Sequence, residues 1–294
     1  MAAGAGRIVQ ADIFPVDIER RFGGLARLYG ATGAQKIRAA HVVVVGLGGV
    51  GSWAAEALAR SGVAKLTLID LDHIAESNIN RQIHALDTTL GQAKVQAMRE
   101  RIFHINPDCE VRCIEEFADA ENWPGLALGG AAMSEPVSVI DACDQVKAKV
   151  AIAAWAMEQS SKRKAAHNIN FISVGAAGGK RHAHKVDIDD LSLTTHDPLL
   201  AQLRYRLRKE RGAARLGKIG VSCVFSREAV MQPISPGTTA EASIGDQIPA
   251  ASSSGVVAEA GDGSLNCHGY GSVVSVTATF GICAAGWVLG KIAD

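Results

Sequence analysis

The sequence predicts an α/β protein: a doubly wound, mostly parallel sheet followed by a C-terminal α+β extension. Three observations carry that expectation. Short runs rich in β-branched residues alternate with helix-forming segments, the order that builds parallel sheets. A glycine-rich turn, Gly46-Leu-Gly48-Gly49-Val-Gly51, joins the first of these runs to the helix that follows it. An acidic residue, Asp70, ends the second run.

Taken in order, His41-Val-Val-Val-Val-Gly46 is continuously apolar, as in a strand buried on both faces. Gly51–Arg60 is dense in helix formers and Lys65–Asp70 reads as the second strand, which completes a βαβ unit with a right-handed crossover. A helix is expected from about Gly91 to Ile105, stopped by Asn106-Pro107. Glu110–Ile114, Val137–Asp141 and Phe171–Gly175 read as further strands, with a helix from Gln145 to about Ser160 between the last two. Beyond Gly179, Lys185–Ile188 and Ile219–Phe225 look like strands, and Asp197-Pro198 opens a helix that runs to about Arg211. Ser235–Ser264 is mostly small and polar and reads as a mobile loop. Gly269–Gly290 carries no formal charge over 22 residues and reads as a buried C-terminal helix, with a membrane-associated segment as the alternative.

Composition removes some function classes. Lys+Arg and Asp+Glu are 30 each, so global charge does not hold a nucleic acid, although a local basic patch can. The six cysteines include no Cys-x-x-Cys pair and the N-terminus shows no apolar export run, so reduced thiols in a cytoplasm are expected, without structural zinc or a disulfide framework.

The Gly46–Gly51 turn fits G-x-G-x-x-G between a strand and a helix, the context that brings backbone N–H groups to phosphates. Asp70 stands where a carboxylate accepts ribose hydroxyls. That pair alone suggests a dinucleotide and an oxidoreductase. The residues that follow argue otherwise. Asn80-Arg81-Gln82 lies just after the second strand, Gly91-Gln-Ala-Lys94 starts the next helix, and Asp141-Ala-Cys-Asp144 follows the fourth strand. Arg81 and Lys94 meeting one triphosphate, with Asp144 orienting magnesium, suits cleavage of a phosphoanhydride, in which charge grows on the departing phosphates. Each residue has a plainer reading: Arg81 a surface ion pair, Lys94 a solvated helix face, Asp144 an N-cap.

Together these residues resemble the adenylating core of the E1-like ThiF/MoeB/HesA family over roughly residues 20–180. Arg21–Gly30, Arg81–Leu86, Asp197-Pro-Leu199, Gly220–Ser226 and Val276–Gly281 further resemble its tRNA threonylcarbamoyladenosine dehydratase branch. The resemblance implies a Rossmann-like, E1-type adenylation fold, with an entry segment at 1–40, an ATP-binding core at 41–180 and the extension at 181–294. It implies ATP-dependent activation, as an acyl-adenylate, of the threonylcarbamoyl carboxylate on adenosine 37 of tRNA, followed by ring closure with net loss of water. It also implies a homodimer, and ATP and magnesium held by Gly48, Asp70, Asn80, Arg81, Lys94 and Asp144, with Arg21 or Arg27 as an arginine that reaches the nucleotide. A monovalent cation and a sulfur-relay partner stay open.

Cys267 in Asn266-Cys-His268 is the candidate nucleophile, because His268 and a helix start both lower a thiol's pKa. Cys223 reads as core, and Cys143 as small packing beside the crevice. Arg204, Arg206, Arg208, Lys209, Arg211, Arg215 and Lys218 face only Glu210, and Lys162–Lys164 and Lys180–Lys185 add cations, as a phosphate-backbone site needs. Two alternatives remain beside tRNA modification: activation of a small sulfur-carrier protein, and hydride transfer with a nicotinamide cofactor.

Overall fold

A computed structural model describes residues 16–129, 137–162, 169–233 and 270–294. Seven strands form one sheet in the order β3-β2-β1-β4-β5-β7-β6. They are β1 (His41–Val45), β2 (Lys65–Ile69), β3 (Glu110–Ile114), β4 (Val137–Asp141), β5 (Asn170–Val174), β6 (Val186–Asp190) and β7 (Ser222–Ser226). The first five and β7 are parallel, and β6 pairs antiparallel with β7 at the edge. Asp187, Asp189 and Asp190 on that last strand suit an edge, since charge discourages further pairing.

The helices are α1 (Ile18–Phe22), α2 (Gly24–Ala39), α3 (Gly51–Arg60), α4 (Lys94–Ile105), α5 (Gly125–Leu128), α6 (Val146–Lys162), α7 (Pro198–Glu210) and α8 (Val274–Ala293). Successive valines of β1 alternate between two cores. Val43 and Val45 pack with residues of α6 and α7, while Val42 and Val44 pack with residues of α2, α3, α4 and α8. The period of two in a strand therefore makes the uninterrupted apolar run of β1 serve both layers.

Two boundaries differ from expectation. Residues 91–93 do not open α4: Gly91 N–H donates to Ile74 O, Ile74 N–H to Gln92 O and Lys94 N–H to Asp72 O. Those groups are spent on a short antiparallel contact, so the helix begins at Lys94. The C-terminal helix runs to Ala293, past Gly290. Val276, Phe280, Ala284, Ala285 and Val288 are fully buried on its face toward α3 and the sheet. By length and composition it could cross a membrane, yet that face is packed as in a core helix. The Ser235–Ser264 loop and Cys267 lie outside the described residues.

Candidate nucleotide-binding site

The strand order reverses between β1 and β4, whose following helices, α3 and α6, cover opposite faces. A crevice opens at such a point, beyond the carboxyl ends of the strands. The turn Gly46–Gly51 borders it. Gly46 has φ +86°, and a Cβ there would lie 2.9 Å from both Ala142 O and Cys143 N. A Cβ on Gly51 would overlap Gly46 O. Glycine at these two positions lets the loop close on itself and on the strand β4 exit. The N–H groups of Gly48, Gly49, Val50 and Gly51 donate to no acceptor among the described residues. They stand at the start of α3 with no side-chain cap, where the helix dipole favours an anion.

Asp70 ties this turn to β2. Its carboxylate accepts from Leu47 N–H at 2.6 Å and from Asp72 N–H at 2.9 Å. Burial pushes its pKa up, while the Lys94 ammonium and both N–H donors pull it back. Lys94 is only 6% exposed, so it is not on a solvated helix face. Its Nζ lies 3.8 Å from Asp70 Oδ1 and 2.7 Å from Asp72 Oδ2. Nothing in the spacing of the motif singled out Asp72, the closer partner.

Among the described residues Arg81 makes no ion pair. Its Nη1 donates to Ser77 O at 2.6 Å and to Asn80 Oδ1 at 3.0 Å, and Trp53 Nε1 holds its backbone carbonyl at 2.9 Å. Its aliphatic stem covers the glycine turn: a Cβ on Gly49 would sit 3.2 Å from Arg81 Cγ. Asn80 Nδ2 in turn reaches Ser272 O at the entrance to α8.

Asp144 is exposed beyond the end of β4, and its carboxylate accepts no hydrogen bond among the described residues, so it does not cap α6. Its turn, Ala142–Asp144, is held from below by Asp141, which is fully buried. Asp141 accepts from Cys143 N–H at 3.3 Å, Cys143 Sγ at 3.0 Å, Ser173 Oγ at 2.7 Å and Lys149 Nζ at 3.0 Å. Lys149 and Ser173 escaped the sequence reading. A lysine within an alanine-rich helix looks solvated, and only the pairing of β4 with β5 brings Ser173 opposite Asp141. Burial, the largest single influence, would lower the Lys149 pKa, but Asp141 together with Cys143 and Cys223 turns the net shift upward. Arg81, Lys94 and Asp144 thus reach the same turn by three routes: the Arg81 stem, the Asp70 bridge and the Ala142–Cys143 backbone.

Other candidates lie elsewhere. Arg21 donates to Ile105 O at the far end of α4 from Lys94. Burial raises the thiol pKa of Cys109, to about 12, and also of Cys113, Cys143, Cys223 and Cys283, so none of these is an activated nucleophile. Lys180 does not join a cationic surface: it is buried and donates to His196 O and Glu228 O. Arg204 turns inward to Leu191 O and to Thr194 O and Oγ1. A cleft of about 590 Å³ beside α7 is lined by Arg204, Tyr205, Arg208, Lys209 and Arg215 among others.

Comparison with known proteins identifies the family. The ThiF family model matches residues 22–292. The tRNA threonylcarbamoyladenosine dehydratase of Escherichia coli is 41% identical over 276 residues, 93% of each chain. That of Haemophilus influenzae is 38% identical, covering 93% of this chain and 94% of the relative. The crystal structure of the Escherichia coli dehydratase, TcdA, in complex with ATP superposes with a TM-score of 0.73 at 38% identity, over 93% of this chain and 94% of that one. With the family model matched over most of the chain and relatives covered to 93% of their length, the chain belongs to the ThiF family, alongside its tRNA threonylcarbamoyladenosine dehydratases.

Proposed function

We propose that this protein is an ATP-dependent, adenylate-forming enzyme that cyclises the threonylcarbamoyl group of a tRNA adenosine with loss of water. The convergence of Arg81, Lys94 and the Asp144 turn on one glycine loop carries the reading, because hydride transfer has no use for cations gathered over phosphates. The full-length similarity to the dehydratases supports the substrate.

In this reading the free N–H groups of Gly48–Gly51 cradle phosphate oxygens and Asp70 faces the ribose. A substrate carboxylate oxygen attacks the α-phosphorus and pyrophosphate departs. Arg81 and Lys94 offset the charge that grows on it, Lys94 moving its hydrogen bond from Asp72 to phosphate. Cys267 is the side chain we assign to acyl transfer: its thiol attacks the acyl carbon of the adenylate and expels AMP, and a nucleophile within the same threonylcarbamoyl group then attacks the thioester and releases the thiol. A magnesium ion fits the exposed Asp144 carboxylate, which has no partner among the described residues, since this ion takes one or two carboxylates together with substrate phosphates. When bound, it neutralises phosphate charge. The tRNA lies against the α7 cleft, with Arg208, Lys209 and Arg215 toward phosphates, in a homodimer working in the cytoplasm.

The test is pyrophosphate release from ATP. Stimulation by tRNA carrying threonylcarbamoyladenosine, and none by a small Gly-Gly-ended carrier protein, is the expected result. Stimulation by the carrier protein alone would transfer the assignment to sulfur-carrier activation.

A further inference from the structure

Lys149 and Asp141 are both completely shielded from water, directly beneath the crevice. A buried ion pair is a poor device for stability, because desolvating two charges offsets most of their attraction. Its retention here asks what else it does. All three Lys149 protons are spent locally, on Asp141 Oδ2 at 3.0 Å, Asp141 O at 3.2 Å and Ser173 Oγ at 3.2 Å. With Oδ2 satisfied by Lys149 and Ser173, Oδ1 is left to Cys143, whose N–H and thiol both point at it. The carboxylate therefore fixes the first turn of chain after β4. That turn is in contact with the glycine loop on one side and ends in Asp144 on the other. Each link depends on the one below: ammonium and hydroxyl orient the carboxylate, the carboxylate orients the Cys143 amide, and the amide aims Asp144.

We propose that Lys149, with Ser173, is a positioning residue for adenylation: by locking Asp141 it sets the Ala142–Asp144 turn against the glycine loop and holds the Asp144 carboxylate where magnesium-bound nucleotide needs it. This rests on the nucleotide reading of the crevice. Groups that orient a metal-facing carboxylate from behind typically carry about 10- to 100-fold in metal affinity or activity.

The test uses the full chain and measures calorimetric binding of ATP with magnesium alongside tRNA-dependent pyrophosphate release. The neutral pair Asp141→Asn/Lys149→Met removes the charges together and avoids stranding either in the interior. Its melting curve checks folding. We expect ATP with magnesium to bind about tenfold more weakly, with the KM for tRNA within about twofold of the parent. In an Asp144→Ala background the same two changes cost less than about twofold more, because they act through Asp144. A folded neutral-pair variant that binds ATP as the parent does overturns the proposal, and so does a full additional loss without Asp144. Should that variant fail to fold, Ser173→Ala decides, since it trims one hydrogen bond from each partner and leaves the ion pair. A weakening of about two- to threefold supports the brace and an unchanged affinity overturns it. A parent protein that binds ATP and yet gives no pyrophosphate with the modified tRNA refutes the substrate assignment and leaves the brace to be judged on binding alone.

Discussion

Arg81 lays its stem across the glycine turn and, among the described residues, gives its guanidinium only neutral acceptors, so its charge stays available to an incoming phosphate. Arg81→Ala is therefore expected to lower ATP turnover by about 10²- to 10³-fold, the usual effect of removing one donor aimed at developing charge. Its melting temperature should stay near that of the parent, which a thermal scan beside the pyrophosphate assay checks. His84, three residues on, has the opposite character. It is 2% exposed and neither ring nitrogen finds a partner among the described residues. Burial first, and then Lys94 and Arg101, depress its pKa from 6.5 to about 4. The folded state thus refuses a proton that the unfolded chain accepts. Stability is complete above pH 6.5, falls as pH drops toward 4, and loses at most about 3 kcal/mol on this account. Melting temperatures between pH 7 and pH 5 should decline for the parent and decline less for His84→Gln.

Among the elements, α8 carries the clearest energetic weight. Phe280 is fully enclosed between α3 and the sheet, and Phe280→Ala should cost about 3–5 kcal/mol, read from denaturant unfolding. A helix held only by lipid would show no such loss in water. The amphipathic character of α7 divides its own cations. Arg204 borders the open cleft but is bound to three acceptors of the 191–194 segment and belongs to the fold, while Lys209 on α7 and Arg215 just beyond it line the same cleft. Lys209→Ala and Arg215→Ala should each reduce the slope of log K for tRNA against log salt by about 1, measured by filter binding. An unaltered slope would remove that residue from the interface.

At the scale of the molecule, nucleotide binding and folding are linked, because the crevice exists only when β1, β2 and β4 lie side by side. ATP at about 100 times its Kd should add about 2.7 kcal/mol to stability and raise the melting temperature, whereas a nicotinamide dinucleotide should not. The reverse pattern would restore the oxidoreductase reading. Much of this architecture was legible in the chain. The strand β1 run, the glycine turn, Asp70 and the basic stretch on α7 are local signals, since periodicity and turn chemistry act over a few residues. Sequence alone determined the alternation that makes a parallel sheet, and it named Arg81, Lys94 and Asp144 by motif. Only the tertiary structure decided that Lys94 is buried against Asp70 and Asp72, that Lys180 and Arg204 serve carbonyls, and that Lys149 and Ser173 stand beneath Asp141. Those partners are brought together by strand order and helix placement, and whether a charge meets water or a carboxylate depends on what the rest of the chain packs around it.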